Sequence, residues 1–330
     1  MSITRRTFIR SAASASALSM APFSFSCSER ASATHTTNTG RKVVRLTHGI
    51  ISVPRSRGVF EQRLKDQGVD VEWLGPFPNH APTLQAVASD TADFSFGGST
   101  TPAAQAILSG STKLAYVAWS LATPRTTSII TLPSSGIERV QDLVGKTVAV
   151  NKAGVAEFLL VAALEKYNVP RDKVSVTYLN PPDAAPAFAN GKIDAWAIWT
   201  GALEMAEVQH GARRIFEEGK ELSYQIDFGS YVVRRDYAER EGETVRKVIE
   251  AYRAEAEWTN EHPAEAQEIS NKLTKYPQAV VHKLIERAVK TRWNFMNDEG
   301  IAKLQFGADW LAERKILTGR LDVRAHSVQL

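Results

Sequence analysis

Three turns in this chain join small and hydroxyl-bearing residues to the start of a helix. Gly97-Gly98-Ser99-Thr100-Thr101-Pro102 follows an apolar run ending at Phe96. Thr101 suits an N-cap there and Pro102 the first helical position. Asn151-Lys152-Ala153-Gly154 follows Val150 and opens a helix at Val155, and Trp199-Thr200-Gly201 follows Ile198 with Thr200 as a candidate N-cap. Free backbone N–H groups and the positive end of the helix dipole favour an anion at such turns. None of the three turns carries an acid, and one carries Lys152. Two readings stand at each turn: an oxyanion site, or serine and threonine capping their own helix.

Other residues fit the same chemistry. Arg125, in Ala122-Thr123-Pro124-Arg125-Thr126-Thr127, can form a bidentate pair with an oxyanion or stand solvated at the surface. His48, in the turn His48-Gly49-Ile50-Ile51, can donate a hydrogen bond to a ligand or pack as a neutral ring. Trp119 ends a strand, and Trp196 and Trp199 flank another strand end at odd spacing. They point to opposite faces, so at most one of that pair meets a ligand. The expected site is therefore His48, Gly98, Ser99, Thr100, Thr101, Trp119, Arg125, Lys152, Gly154, Val155, Trp196 and Thr200. Trp73, Trp258, Trp293 and Trp310 are expected in the core.

The elements that must position these residues alternate. Strands are expected at 43–47, 69–74, 92–96 and 114–119, with helices at 58–67, 82–88 and 102–108 between them. Strand 128–132 leads away into a second alternating unit that 214–216 closes, and 230–234 reads as the strand that returns. In that unit Val155, Phe158, Leu159, Ala162 and Ala163 mark an amphipathic helix. From Tyr237 onward the chain reads as helical. Alternation of this kind implies mostly parallel sheets flanked by helices.

Composition narrows the class. The 330 residues are 43 % hydrophobic and 23 % charged, as in globular proteins. No apolar run approaches the ~18 residues of a spanning helix, so a soluble body is expected. The single cysteine, Cys27, excludes a disulfide framework or a CxxC site, and the seven histidines lack metal-binding spacing. GxGxxG, Gly-x-Ser-x-Gly and P-loop patterns are also missing. No cofactor is expected. Residues 1–33 hold Arg5, Arg6, Arg10 and Arg30, then a stretch rich in apolar, alanine and serine residues, then Ala31-Ser32-Ala33. That order marks an export signal cleaved before Thr34. Thr4-Arg5-Arg6-Thr7-Phe8-Ile9-Arg10 resembles the twin-arginine type, and lipid anchoring through Cys27 is the alternative. Without 1–33 the chain keeps 36 basic and 35 acidic residues, so its net charge falls from +4 to +1. Nucleic-acid binding has no charge basis.

Four stretches carry a family likeness: Gln67-Gly68-Val69-Asp70-Val71-Glu72-Trp73, Val140 to Lys152, Phe158 to Glu165, and Gly191 to Trp199. In this order they resemble the substrate-binding proteins of sulfonate, taurine and nitrate ABC importers. The resemblance implies a two-lobed α/β clamp of the periplasmic-binding-protein type II fold. Lobe 1 would comprise 34–127 and 229–330, and lobe 2 would comprise 128–228. It further implies a periplasmic monomer that delivers a small anion to a membrane permease. Two family turns, Gly-Glu-Ala-Pro-Pro and Trp-Asp-Pro, stand here as Gly98-Ser99-Thr100-Thr101-Pro102 and Trp199-Thr200-Gly201, both without the acid. Loss of both acids argues for an alkanesulfonate-like anion with a neutral tail rather than an amino-sulfonate. A desulfinase of this fold uses a cysteine in the loop after the first strand, where this chain has His48-Gly49-Ile50-Ile51. A sensory role beside a receptor is a third class.

Overall fold

The computed structural model describes residues 40–330. The export signal, its cleavage site and Cys27 lie outside the described residues. The first stretch runs β1 (Lys42–Gly49), α1 (Val53–Arg57), α2 (Val59–Asp66), β2 (Val69–Phe77), α3 (His80–Ala88), β3 (Gly98–Ser99), α4 (Thr100–Leu108) and β4 (Leu114–Thr123). The middle runs β5 (Ser128–Thr131), β6 (Thr147–Val150), α5 (Val155–Lys166), β7 (Ser175–Tyr178), α6 (Pro181–Ala189), β8 (Ala195–Ile198), α7 (Ala202–His210), β9 (Arg213–Glu217) and α8 (Glu218–Glu221). The end runs β10 (Gly229–Arg234), α9 (Arg235–Arg240), α10 (Gly242–Glu261), α11 (Pro263–Thr274), α12 (Gln278–Glu286), β11 (Lys290–Phe295) and α13 (Asp298–Glu313).

These strands form two separate assemblies. In one, β11, β4, β10 and β3 pair in that order, and β1 pairs with β2 beside them. Phe94 bridges the two parts, pairing with Leu46 and Val233. The expected strand 92–96 is reduced to that one bridging residue. In the other, the order is β7, β6, β8, β5, β9. Parallel pairs (β1–β2, β6–β7, β6–β8) carry the strand–helix alternation. Antiparallel pairs occur where β5 and β10, the strands that cross between the assemblies, enter their sheets. Each assembly is one lobe of an α/β clamp.

Core packing corrects two expectations. Every residue from Ala156 to Leu164 on α5 is buried, because α13 covers the face that would otherwise meet solvent, with Trp310 edge-on to Phe158 at 6.2 Å between centroids. A helix apolar all round is buried all round. The C-terminal region is not continuously helical: β11 pairs with β4 along Lys290–Phe295 and carries Trp293 and Arg292. Its alternating Trp293 and Phe295 sit in a segment too short and polar for the apolar run to stand out.

Candidate ligand-binding cleft

A cavity of about 730 Å³ lies between the loops of the two sheets. One wall is made by Asn79, His80 and Phe96–Ser99, the other by Asn151, Lys152, Val155, Asn180, Trp199 and Thr200. The crossing segments supply Arg125 and Asp227 at its base. At one edge the walls meet, where Asn79 Nδ2 donates to Asn180 Oδ1 at 3.4 Å. A volume of this size suits a small-molecule site.

A carboxylate is already present at each of the three helix-opening turns. At α4, Asp227 Oδ1 accepts from Ser99 Oγ (2.6 Å), Thr100 Oγ1 (2.9 Å) and the Thr101 amide (3.3 Å). At α5, Glu157 Oε2 accepts from the Ala153 amide at 2.7 Å, while its Oε1 accepts from Tyr178 and pairs with Arg171. At α7, Glu204 accepts from the Gly201 amide and pairs with Arg287 at 2.7 Å. These acids satisfy donors that an incoming anion was expected to use. Burial pushes the Asp227 carboxyl up, and the bonds from Ser99 and Thr100 hold it down. Asp227 lines the cleft, so an acid that a ligand ammonium could meet stands at the α4 turn, where none was expected.

A family model described as NMT1/THI5 like matches residues 47–266. The chain belongs to the NMT1/THI5-like family. Two curated relatives named for aliphatic-sulfonate binding are similar to it. The one from Escherichia coli (strain K12) is 28 % identical over 271 residues, covering 82 % of each chain. The one from Bacillus subtilis (strain 168) is 26 % identical over 273 residues, covering 82 % of this chain and 80 % of its own. A crystal structure of the periplasmic aliphatic sulphonate binding protein SsuA from Escherichia coli superposes with a TM-score of 0.76 at 26 % identity, over 87 % of this chain and 92 % of that one.

In this NMT1/THI5-like protein Gly98, Ser99, Arg125, Lys152, Val155 and Thr200 line the cleft. The other expected site residues do not. Thr100 and Thr101 are buried beneath it, turned to Asp227. Gly154 lies under Asn151, whose side chain a Cβ there would strike at 1.7 Å. Trp119 is fully buried, edge-on to Phe228 and against Gly300 of α13. Trp196 packs in the second lobe's core beside Phe188, and Trp199 is the member of the pair that reaches the cleft. Parity placed the two on opposite faces but could not say which face carried the ligand. His48 lies outside the cleft, in an adjoining pocket, with Nδ1 2.8 Å from the Gly49 carbonyl and its ring against Trp73.

Arg125 lines the cleft with its fork already engaged. It pairs with Glu218 at 3.3 Å and donates to the carbonyls of Leu222 (2.6 Å) and Tyr224. It thus laces the outgoing crossing segment to the returning one. Glu218 is itself buried, and burial lifts its carboxyl to about 7 against the opposing pull of Arg125. Among the described residues no carboxylate pairs with Lys152; its Nζ lies 5.7 Å from the Tyr178 ring centroid. Lys152 is the cleft cation available to an anionic ligand.

Sequence reasoning missed Asp227, Glu218 and His80 as cleft residues, and of the tryptophan pair it named Trp196 where Trp199 lines the cleft. Gly98 lies directly beneath the His80 ring, where a Cβ would come within 2.4 Å. His80 Nδ1 is 2.8 Å from the Ser99 carbonyl, which makes Nδ1 the protonated nitrogen. Burial lowers its pKa to about 4, so the ring is neutral near pH 7. Among the described residues no three His, Cys, Asp or Glu side chains form a metal-binding group.

Proposed function

We propose that this protein is the solute-binding component of an ABC importer. It captures a small organic sulfonate in the cleft, hands it to a membrane permease, and catalyses no reaction. The observation that carries the reading is the cleft itself, closed by loops of both lobes around the uncommitted Lys152. The names of the relatives support the sulfonate. Export to the periplasm by the Arg5-Arg6 signal, a monomeric state, and a lobe division at the two crossing segments belong to the same reading.

Calorimetry on the purified protein tests it. Butanesulfonate should bind and nitrate should not. Lys152→Ala should weaken butanesulfonate about 10–100-fold, the equivalent of ~1.5–3 kcal/mol for a hydrogen bond to a charged group. Binding of nitrate or benzoate without any sulfonate would keep the cleft and remove the sulfonate. An anion beside Glu218, whose carboxyl is lifted to about 7, favours its protonated form, so binding near pH 7 should take up protons and tighten as the pH falls. Heats measured in phosphate and in Tris should differ by that uptake; equal heats would place the anion away from Glu218. Two lobes joined by extended segments close like a hinge. Solution scattering should therefore give a smaller radius of gyration with butanesulfonate at saturation. An unchanged radius would remove the clamp.

A further inference from the structure

A second cavity, of about 440 Å³, opens in the first lobe next to the cleft. The two share Phe96, Gly97, Val289 and Thr291 in their linings. Its walls are aromatic. Tyr231 of β10 stacks on Tyr252 of α10 at 4.4 Å between centroids and meets Trp293 of β11 at 4.3 Å, and Trp73 of β2 lies opposite against His48. A Cβ at Gly97 would come 2.6 Å from the Trp293 ring, so the glycine lets the indole lie along the boundary between the two cavities.

Charge sorts the two cavities. The cleft holds Lys152 without a carboxylate partner. The aromatic pocket has one charged lining residue, Glu255, whose carboxylate is neutralised by Arg57 at 2.7 Å. An anionic head has no cation to meet in the pocket, whereas an uncharged ring meets π-faces and edges at stacking distance. Two large apolar side chains stand beside it in water: Ile50 is 56 % exposed, and Ile51, which lines the pocket, is 45 % exposed. Isolated exposed apolar residues need no account, but two in succession at an aromatic pocket suit an apolar occupant.

We propose that this pocket receives the ring or bulky apolar tail of a sulfonate whose charged head sits in the cleft. The ligands are then aryl or ring-bearing sulfonates rather than one- or two-carbon ones. The proposal rests on the sulfonate reading above and adds the chemistry of the tail. A pocket within the ~300–1,000 Å³ range of small-molecule sites, standing in addition to the cleft, is far larger than a methyl or ethyl tail requires.

Calorimetry with naphthalene-2-sulfonate, methanesulfonate and 2-naphthoate decides the matter. Naphthalene-2-sulfonate should bind at least 100-fold more tightly than methanesulfonate and change the intrinsic tryptophan fluorescence. Ala256→Phe, on the pocket wall, should cut that affinity ratio at least tenfold; Thr259→Leu is a second plug should the first fail to fold. Equal affinities, or a ratio unmoved by either folded plug, would overturn the tail pocket and leave the sulfonate reading standing. Binding of 2-naphthoate alone, lost on plugging, would support the pocket and overturn the sulfonate. No binding of any probe would overturn both.

Discussion

Arg125→Ala should lower the free energy of unfolding by about 3–5 kcal/mol, the loss found when one partner of a buried ion pair is removed. Its partner, Glu218, is 4 % exposed and pairs with no other basic side chain among the described residues. The carbonyls of Leu222 and Tyr224 would lose their donors as well. Gly219 adds to the expected damage: a Cβ there would meet the Arg125 carbonyl at 2.5 Å, so the two crossing segments are in backbone contact and cannot spread to admit a new donor cheaply. At a pH well above 7, where the unpaired Glu218 carboxyl would have to ionise, adding Glu218→Gln to Arg125→Ala should recover part of the loss. Urea unfolding of the two variants measures both effects. Arg125→Ala with near wild-type stability and abolished butanesulfonate binding would return Arg125 to the role of ligand clamp.

Much of the frame was legible in the residues. Strand–helix alternation placed β1, β2, β4, β5 and β10 within a few residues, because apolar runs bounded by glycine, proline and helix caps are local signals. Failures arose where tertiary contacts decide. Phe94 pairs singly because the chain kinks at Gly97, where the Gly98 amide donates to the Phe96 carbonyl, before pairing with β10 resumes at Gly98. β11 exists because β4 offers a free edge to Lys290–Phe295. At the cleft, two of the three acids were within reach of a closer reading. Glu204 stands three residues after Gly201 and Glu157 four after Ala153, the spacing at which a first-turn acid reaches back to the amides of its own helix. Asp227 was not within reach: it is 126 residues from Thr101 in the chain, and only the return of the second crossing segment brings it to α4. Arg125 lines the cleft, but its partners Glu218, Leu222 and Tyr224 are equally remote in sequence.

Between pH 4.5 and 6.5, His80→Asn and Glu218→Gln should tilt the stability in opposite directions relative to the unmutated protein. His80 has a pKa of about 4 when folded against an ordinary 6.5. Across this window the unfolded chain binds the extra proton, so His80 costs stability as the pH falls. Glu218 has a pKa of about 7 when folded against an ordinary 4.5. Here the folded chain holds the extra proton, so Glu218 costs stability as the pH rises. A difference of one bound proton corresponds to a slope of about 1.4 kcal/mol per pH unit. His80→Asn should therefore gain on the unmutated protein by up to about that slope as the pH is lowered, and Glu218→Gln by a similar amount as it is raised. Asparagine can keep a donor on the Ser99 carbonyl, and any lost packing is a constant offset that leaves the slope alone. Glu204, pushed up by burial, stays in each variant and cancels in the comparison. Urea unfolding at several pH values across the window gives the slopes. Parallel lines for all three proteins would mean that neither group titrates differently on folding.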